Sequence, residues 1–192
     1  MATDKRIIKT KAAIKNAFMQ LMTETEANKI TVSDIAAKAL VNRSTFYLHY
    51  ADVAAVMKDI ETEIAAKIEE CINDFDISDV YGSTYSMLAN ISAVLDEKTT
   101  FKNYLVFSKE STGVMTRLKE IVIEKTTSAI LNERSGQDIG NIIFPVTFIA
   151  SGIVDSYETW VRNGQKIKTQ EELIKEISDI TEHIIKKVIK PE

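Results

Sequence analysis

The stretch ITVSDIAAKALVNRSTFYLHY, residues 30–50, constrains the fold more than any other part of the chain. It fits two short helices joined by a tight turn. Thr31 is a good N-cap, and Asp34 three residues on completes a capping box with an acid shorter than usual. Val32, Ile35, Ala36 and Ala39 then share one face at helical spacing. Asn42 can cap a second helix, with Arg43, Ser44 and Thr45 in its first turn and Phe46 and Tyr50 on its buried face. A helix needs no such cluster of donors merely to fold. Donors in the first turn, with Tyr47 and His49 beside the core pair, are the chemistry of a recognition helix: its start meets base edges and its flanks meet phosphates. The same residues also suit an ordinary helical hairpin with a solvated face, and the pattern alone leaves both readings open.

The combination Thr31-Val32, Asp34-Ile35-Ala36, Ala39, Val41, Thr45-Phe46-Tyr47 and His49-Tyr50 resembles the DNA-binding domain of the TetR family of transcriptional regulators. Three positions depart from that pattern. Leu40 stands where the turn usually has Gly, so a positive φ there would be strained. Asn42 replaces the capping Ser, an equivalent cap. The Lys that often follows the motif is missing from Ala51-Asp52-Val53, which removes one phosphate contact. The resemblance implies a double-stranded DNA operator of near-palindromic sequence, with Arg43, Ser44 and Thr45 at the bases and Thr31, Ser33, Tyr47 and His49 at phosphates. It also implies a ligand-responsive repressor, a homodimer and a small-molecule effector. Further on, Gly152, Trp160, Gly164 and a final amphipathic helix resemble the dihydroxyacetone-operon regulators within that family. That likeness places the dimer interface on the last two long helices, at Gly152, Trp160, Ile177 and Ile184.

Charge is distributed in keeping with such a head. Eight basic residues (Lys5, Arg6, Lys9, Lys11, Lys15, Lys29, Lys38, Arg43) against four acids (Asp4, Glu24, Glu26, Asp34) give residues 1–50 a net +4. The whole chain is −4, so the remainder carries −8. A basic head on an acidic body suits a head that meets phosphate. The 192 residues contain 6 Gly and 2 Pro, few enough to favour helix, and 45% hydrophobic residues support a sizeable core. No apolar stretch is expected to reach the ~20 residues of a membrane span, and no apolar segment follows Lys5-Arg6 to make a signal peptide. The single Cys71 excludes an intrachain disulfide and, between Ile68 and Ile72, is expected to be a buried structural thiol. A cytoplasmic protein is the expectation.

The expected architecture is all-α: a three-helix helix-turn-helix domain over residues 1–50, then a helical effector-binding and dimerisation domain over 51–192. Apolar periodicity and break signals predict helices at about 5–25, 52–75, 79–96, 98–108, 111–133, 139–163 and 169–189, besides the two of the motif. The helix from 52 carries Val53, Val56, Met57, Ile60, Ile64 and Ile68, a stripe long enough to begin in the head and end in the body. Aromatic residues concentrate between 79 and 163. Tyr81, Tyr85, Phe101, Tyr104, Phe107, Met115, Phe144 and Phe148 are the candidate effector pocket, with Asp155 and Glu158 as partners for a cationic ligand. Catalytic readings find little support. His49 and His183 are the two histidines, and no HExxH, CxxC, GxGxxG, P-loop or GxSxG pattern occurs. No enzyme, metal site or cofactor is therefore expected. The alternatives are a helical protein whose motif binds another protein, or a DNA-binding head with a body that senses a partner protein.

Overall fold

The computed structural model describes residues 5–73, 75–97, 102, 112–133, 139–163 and 166–188. Eight α-helices and two short 3-10 turns are formed among these residues, with no strand. The helices are α1 Lys5–Leu21, α2 Val32–Lys38, α3 Arg43–His49, α4 Val53–Ile72, α5 Val80–Asp96, α6 Thr112–Glu133, α7 Ile139–Arg162 and α8 Gln170–Val188. The all-α expectation holds, and most helix ends fall within a few residues of those the sequence implies. The first helix ends earlier than expected: the Glu24 N–H turns back to the Leu21 carbonyl, and the chain passes through a 3-10 turn at Ala27–Lys29. The helix expected at 98–108 lies outside the described residues apart from Lys102.

The chain divides into two compact units, and the division falls between Ile64 and Ala65, inside α4. This is later than residue 50, because the first half of α4 belongs to the head: Val56, Ile60 and Ile64 are buried. The head's core is Ile14, Phe18, Ile35 and Phe46, each 1% exposed or less. They come from α1, α2 and α3, whose apolar faces close on one another and fix the motif as a unit.

In the second unit α5 packs on α8, and α7 packs on both α6 and α8. Val80, Ile130, Ile142, Val146 and Ile185 form one core cluster. The turn into α5 is set by carboxylates. Asp76 Oδ1 accepts the Ser78 N–H at 2.8 Å, and Asp79 Oδ1 accepts the Gly82 N–H at 3.0 Å. A Cβ at Gly82 would collide with the Asp79 carboxylate as it stands, so a larger residue there would require that side chain to shift. Thr169 and Glu172 make a reciprocal capping box at the start of α8, the Thr169 N–H donating to Glu172 Oε2 at 2.7 Å. α7 runs unbroken through Pro145, which lies in its second turn and lacks the N–H that would bond the Asn141 carbonyl.

α7 corrects one sequence expectation. It is long and apolar enough, by length and composition, to cross a membrane. Its inner residues Ile142, Val146, Ala150 and Ile153 are instead buried in the second unit. Cys71 also differs from expectation. It is partly exposed, and its Sγ donates to the Lys67 carbonyl at 3.2 Å, with burial raising its thiol above the ordinary range.

Candidate nucleic-acid interface

α2 begins with the expected reciprocal cap. The Asp34 N–H donates to Thr31 Oγ1 at 3.3 Å, and Asp34 Oδ2 accepts the Thr31 N–H at 2.9 Å and its hydroxyl at 2.6 Å. These bonds hold the Asp34 carboxyl below the usual carboxylate range. They also commit the Thr31 hydroxyl proton within the head, so Thr31 serves first as a cap. Ser33, next along α2, is exposed.

The turn after α2 ends the helix in a Schellman motif. The Val41 N–H donates to the Ala36 carbonyl at 3.0 Å, and the Leu40 N–H to the Ala37 carbonyl at 3.2 Å. Leu40 takes φ 56°, the left-handed region, the one non-glycine residue described to do so. Its side chain is 92% exposed. The strain expected from a leucine in this turn is therefore present. Asn42 then caps α3, its Oδ1 accepting the Thr45 N–H at 2.6 Å. This leaves Arg43 and Ser44 exposed on the first turn, with Thr45 half-buried beside them. Tyr47 is 51% exposed, while His49 is half-buried. The motif thus presents Ser33, Arg43, Ser44 and Tyr47 to solvent on a rigid frame. Sequence reasoning passed over Leu48, a large apolar side chain 80% exposed on α3. It lies one turn beyond Ser44 on the same helix face, and that i,i+4 spacing was the signal available.

α3 is anchored behind by Tyr50. Its ring is 5% exposed and lies 6.0 Å from Phe46, centroid to centroid. Its hydroxyl donates to Asp59 Oδ2 on α4 at 2.6 Å. Lys11 of α1 reaches the same oxygen at 3.3 Å and sits 5.0 Å above the Tyr50 ring. Lys15 lies 3.7 Å from that oxygen and 2.8 Å from Glu63. The Tyr50 hydrogen bond, helped by the two lysines, depresses the Asp59 carboxyl below its ordinary range. Burial and the Asp59 bond raise the Tyr50 phenol. One carboxylate thus ties α1, the end of α3 and α4 together. Lys11 and Lys15 are drawn into this tie, and Lys29 pairs with Glu26 at 2.9 Å. Part of the head's positive charge is consequently internal. Lys5, Arg6, Lys9, Lys29, Lys38 and Arg43 remain exposed, six of the eight basic side chains, so the cationic surface is somewhat smaller than the count of lysines and arginines suggests.

Solved structures match the arrangement over nearly its whole length. The dihydroxyacetone kinase operon activator DhaS superposes with a TM-score of 0.69, covering 92% of this chain and 96% of that one at 22% identity. A TetR transcriptional regulator from Streptococcus agalactiae gives 0.64, covering 93% and 96% at 24% identity. The chain has the TetR-family fold. The fatty acid degradation regulator FadR from Bacillus halodurans shares it at 16% identity, with a TM-score of 0.64 over 90% and 94% of the two chains. No family model matches the sequence. The uncharacterized HTH-type transcriptional regulator YxbF of Bacillus subtilis is 27% identical over 96 residues, which is 46% of this chain. The match spans a quarter of that relative's length.

Within the TetR-family fold the second unit departs from two sequence expectations. The first concerns the pocket. Tyr81 and Tyr85 are half-buried and stack with ring centroids 6.3 Å apart on α5. Phe144 and Phe148, however, are 77% and 70% exposed on the outer face of α7. Neither lines the cavity described below, because α7 is apolar on more than one face and its buried side is taken by Ile142, Val146 and Ala150. Phe101, Tyr104 and Phe107 lie outside the described residues, as does the side chain of Met115. Asp155 and Glu158 are already paired, with Lys119 at 2.7 Å and Arg162 at 2.7 Å. A cavity of about 20 Å³ in this unit is lined instead by threonines, aliphatic side chains, Met87 and Phe75.

The second concerns the dimer residues. Trp160 is 5% exposed and its indole N–H donates to the Lys168 carbonyl at 2.7 Å, tying α7 to the approach of α8. Ile177 is 8% exposed. Both face inward. Ile184 is half-buried, and a Cβ on Gly152 would meet nothing within 4 Å. The exposed large apolar residues described on these helices are Ile139, Phe144, Phe148 and Ile180, the last 53% exposed.

Proposed function

We propose that this protein is a DNA-binding transcriptional regulator that acts in the cytoplasm as a homodimer on a near-palindromic operator. The observation that carries the reading is the first turn of α3. Asn42 caps it, the Schellman turn aims it, Tyr50 anchors it, and Arg43 and Ser44 stand exposed on it. Arg43, Ser44 and Thr45 contact bases, while Ser33, Tyr47, His49 and the cap residue Thr31 lie along phosphates. The head comprises the motif with α1 and the start of α4. The remainder is the effector-binding and dimerisation part.

A single head covers too few base pairs for useful selectivity, and a two-fold pair reads both halves of a palindrome. The outer faces of α7 and α8 suit that pairing. Phe144, Phe148 and Ile180 are large apolar side chains in water, and the open backbone at Gly152 permits close approach of a second helix. Ile184 lies at the margin of this face, with Trp160 and Ile177 supporting it from within. The regulator represses by occupying promoter DNA, and a small-molecule effector releases it by binding the DNA-incompetent form better.

The test is selection of genomic fragments by the full-length protein, followed by a mobility-shift titration of wild type and Arg43→Ala. Recovery of one inverted-repeat sequence, bound less selectively by the variant, supports the reading. Protein capture through the motif without any DNA preference would replace it with the protein-binding alternative.

A further inference from the structure

We propose that Leu48 reads sequence by packing against the 5-methyl group of a thymine in the major groove, once in each half-site. This rests on the regulator reading above and adds a base-reading residue to it. An isolated exposed leucine is ordinary on a protein surface. Leu48 is distinguished by its position. It is 80% exposed and stands midway along α3 between Phe46 and Tyr50, both buried. Each of those is two residues away, about 200° around the helix, so Leu48 points diametrically away from the head's core. A groove lies in that direction when α3 is laid into it. Ser44, one turn earlier, shares the face and is exposed. Tyr47 leans aside, its ring meeting Phe46 edge-on at 5.7 Å, and Thr45 and His49 on the other flank are half-buried. Leu48 is thus the apolar centre of a face otherwise made of hydrogen-bonding side chains.

The chemistry around the leucine selects its occupant. α3 carries no acidic residue, and Arg43 and Ser44 on its exposed first turn are hydrogen-bond donors. A partner must combine negative charge and acceptors with a small apolar group set among them. Double-stranded DNA does so: phosphates border the major groove, and thymine places its methyl group beside the O4 acceptor. Leucine has no donor or acceptor of its own, so this methyl is the feature by which it can tell one base pair from another. Burying one methyl is worth about fourfold in affinity. Two half-sites contributing independently make that about fifteenfold.

The full-length protein first selects its operator from genomic fragments. Each thymine of that operator is then replaced in turn, in both half-sites, by uracil, which removes the methyl and keeps the base pairing. Wild type, Leu48→Ala and Leu48→Met are titrated against every duplex in mobility-shift competition. One thymine position is expected at which uracil weakens wild type about fifteenfold. Leu48→Ala should bind the thymine operator more weakly and lose the preference for thymine over uracil at that position alone. Leu48→Met, which keeps an apolar chain of similar volume, should retain the preference. Because the side chain is exposed, both variants should melt with wild type. Uracil without effect at every position, or an equal uracil penalty in Leu48→Ala and wild type, would overturn the proposal. So would a Leu48→Ala protein that changes oligomeric state in light scattering while its DNA binding stays the same, since the leucine would then serve a second copy of the chain. Operator selection is scored on its own. A selected operator without methyl dependence sinks only the leucine contact, whereas failure to select any operator sinks the regulator reading and the contact with it.

Discussion

Replacing Leu40 with glycine should stabilise the head. Leu40 holds φ 56° in the turn between α2 and α3, where a Cβ crowds the following carbonyl. That conformation costs a non-glycine residue about 1–2 kcal/mol. Glycine removes the crowding but loses more backbone freedom on folding, offsetting about 0.5–1 kcal/mol. Little is lost from packing, since the leucine side chain is 92% exposed. The Schellman bonds from Leu40 and Val41 use backbone groups and survive the change. The net effect should be a stabilisation of roughly 0.5–1 kcal/mol. In a chain of this size that is a rise of about 1–4 °C if the two units melt together. The assay follows the head separately. Trp160, the single tryptophan, lies in the second unit, so its fluorescence reports that unit. Amide hydrogen exchange at Ile35 and Phe46 reports the head. Leu40→Gly should slow exchange at both, while Leu40→Ala, which keeps a Cβ, should leave it near wild type. Equal protection by glycine and alanine would show that the leucine side chain, not the left-handed backbone, is at fault. Faster exchange in Leu40→Gly would refute the strain argument outright.

Other changes follow from the same frame. Arg43→Ala should cost about 1–3 kcal/mol of operator affinity and relax preference at one base position, measured by competition with single-base operator variants. A uniform loss across all DNA would instead assign Arg43 to phosphate. Asp59→Asn should destabilise the head at neutral pH by about 1.5–3 kcal/mol, the range for a hydrogen bond to a charged group, in urea titrations. Because the folded Asp59 pKa is depressed, its contribution is present above the unfolded carboxylate pKa of about 3.9 and disappears as pH falls through the folded value. Wild type and Asp59→Asn should therefore converge in strong acid, and a constant gap at every pH would contradict this. Phe148→Asp with Ile180→Asp should give a monomer by light scattering at micromolar concentration while leaving helix content unchanged. A dimer that survives both changes would place the interface elsewhere.

Much of the fold was legible because its signals are local. Thr31 with Asp34, Asn42 with Thr45, and the 3.6-residue stripes of α4 and α5 need only near neighbours to be recognised. The left-handed turn at Leu40 was legible only through the family resemblance, because leucine stands where that pattern has glycine. What escaped the sequence depends on which face of a helix turns inward. α7 carries apolar residues around much of its circumference, so periodicity could not tell Phe144 and Phe148, which point out, from Ile142 and Val146, which point in. α8 posed the same difficulty with Ile177 and Ile180. The spacing around Trp160 likewise gave no sign that its indole would bond the Lys168 carbonyl. The Asp59 tie joins residues 11, 50 and 59 across three elements, and no spacing rule brings them together. For the same reason the charge count overstated the head's cationic surface, since Lys11 and Lys15 looked as available as Lys9.

The central claim is that α3 reads DNA sequence from paired heads. Footprinting of the full-length protein on fragments selected from its own genome tests it most directly. The account predicts one inverted repeat, with half-site centres about 34–36 Å apart or somewhat more on a widened site. Protection at one base position in each half should weaken with Arg43→Ala. A footprint of a single half-site, or binding that ignores sequence and the Arg43 change alike, would contradict it.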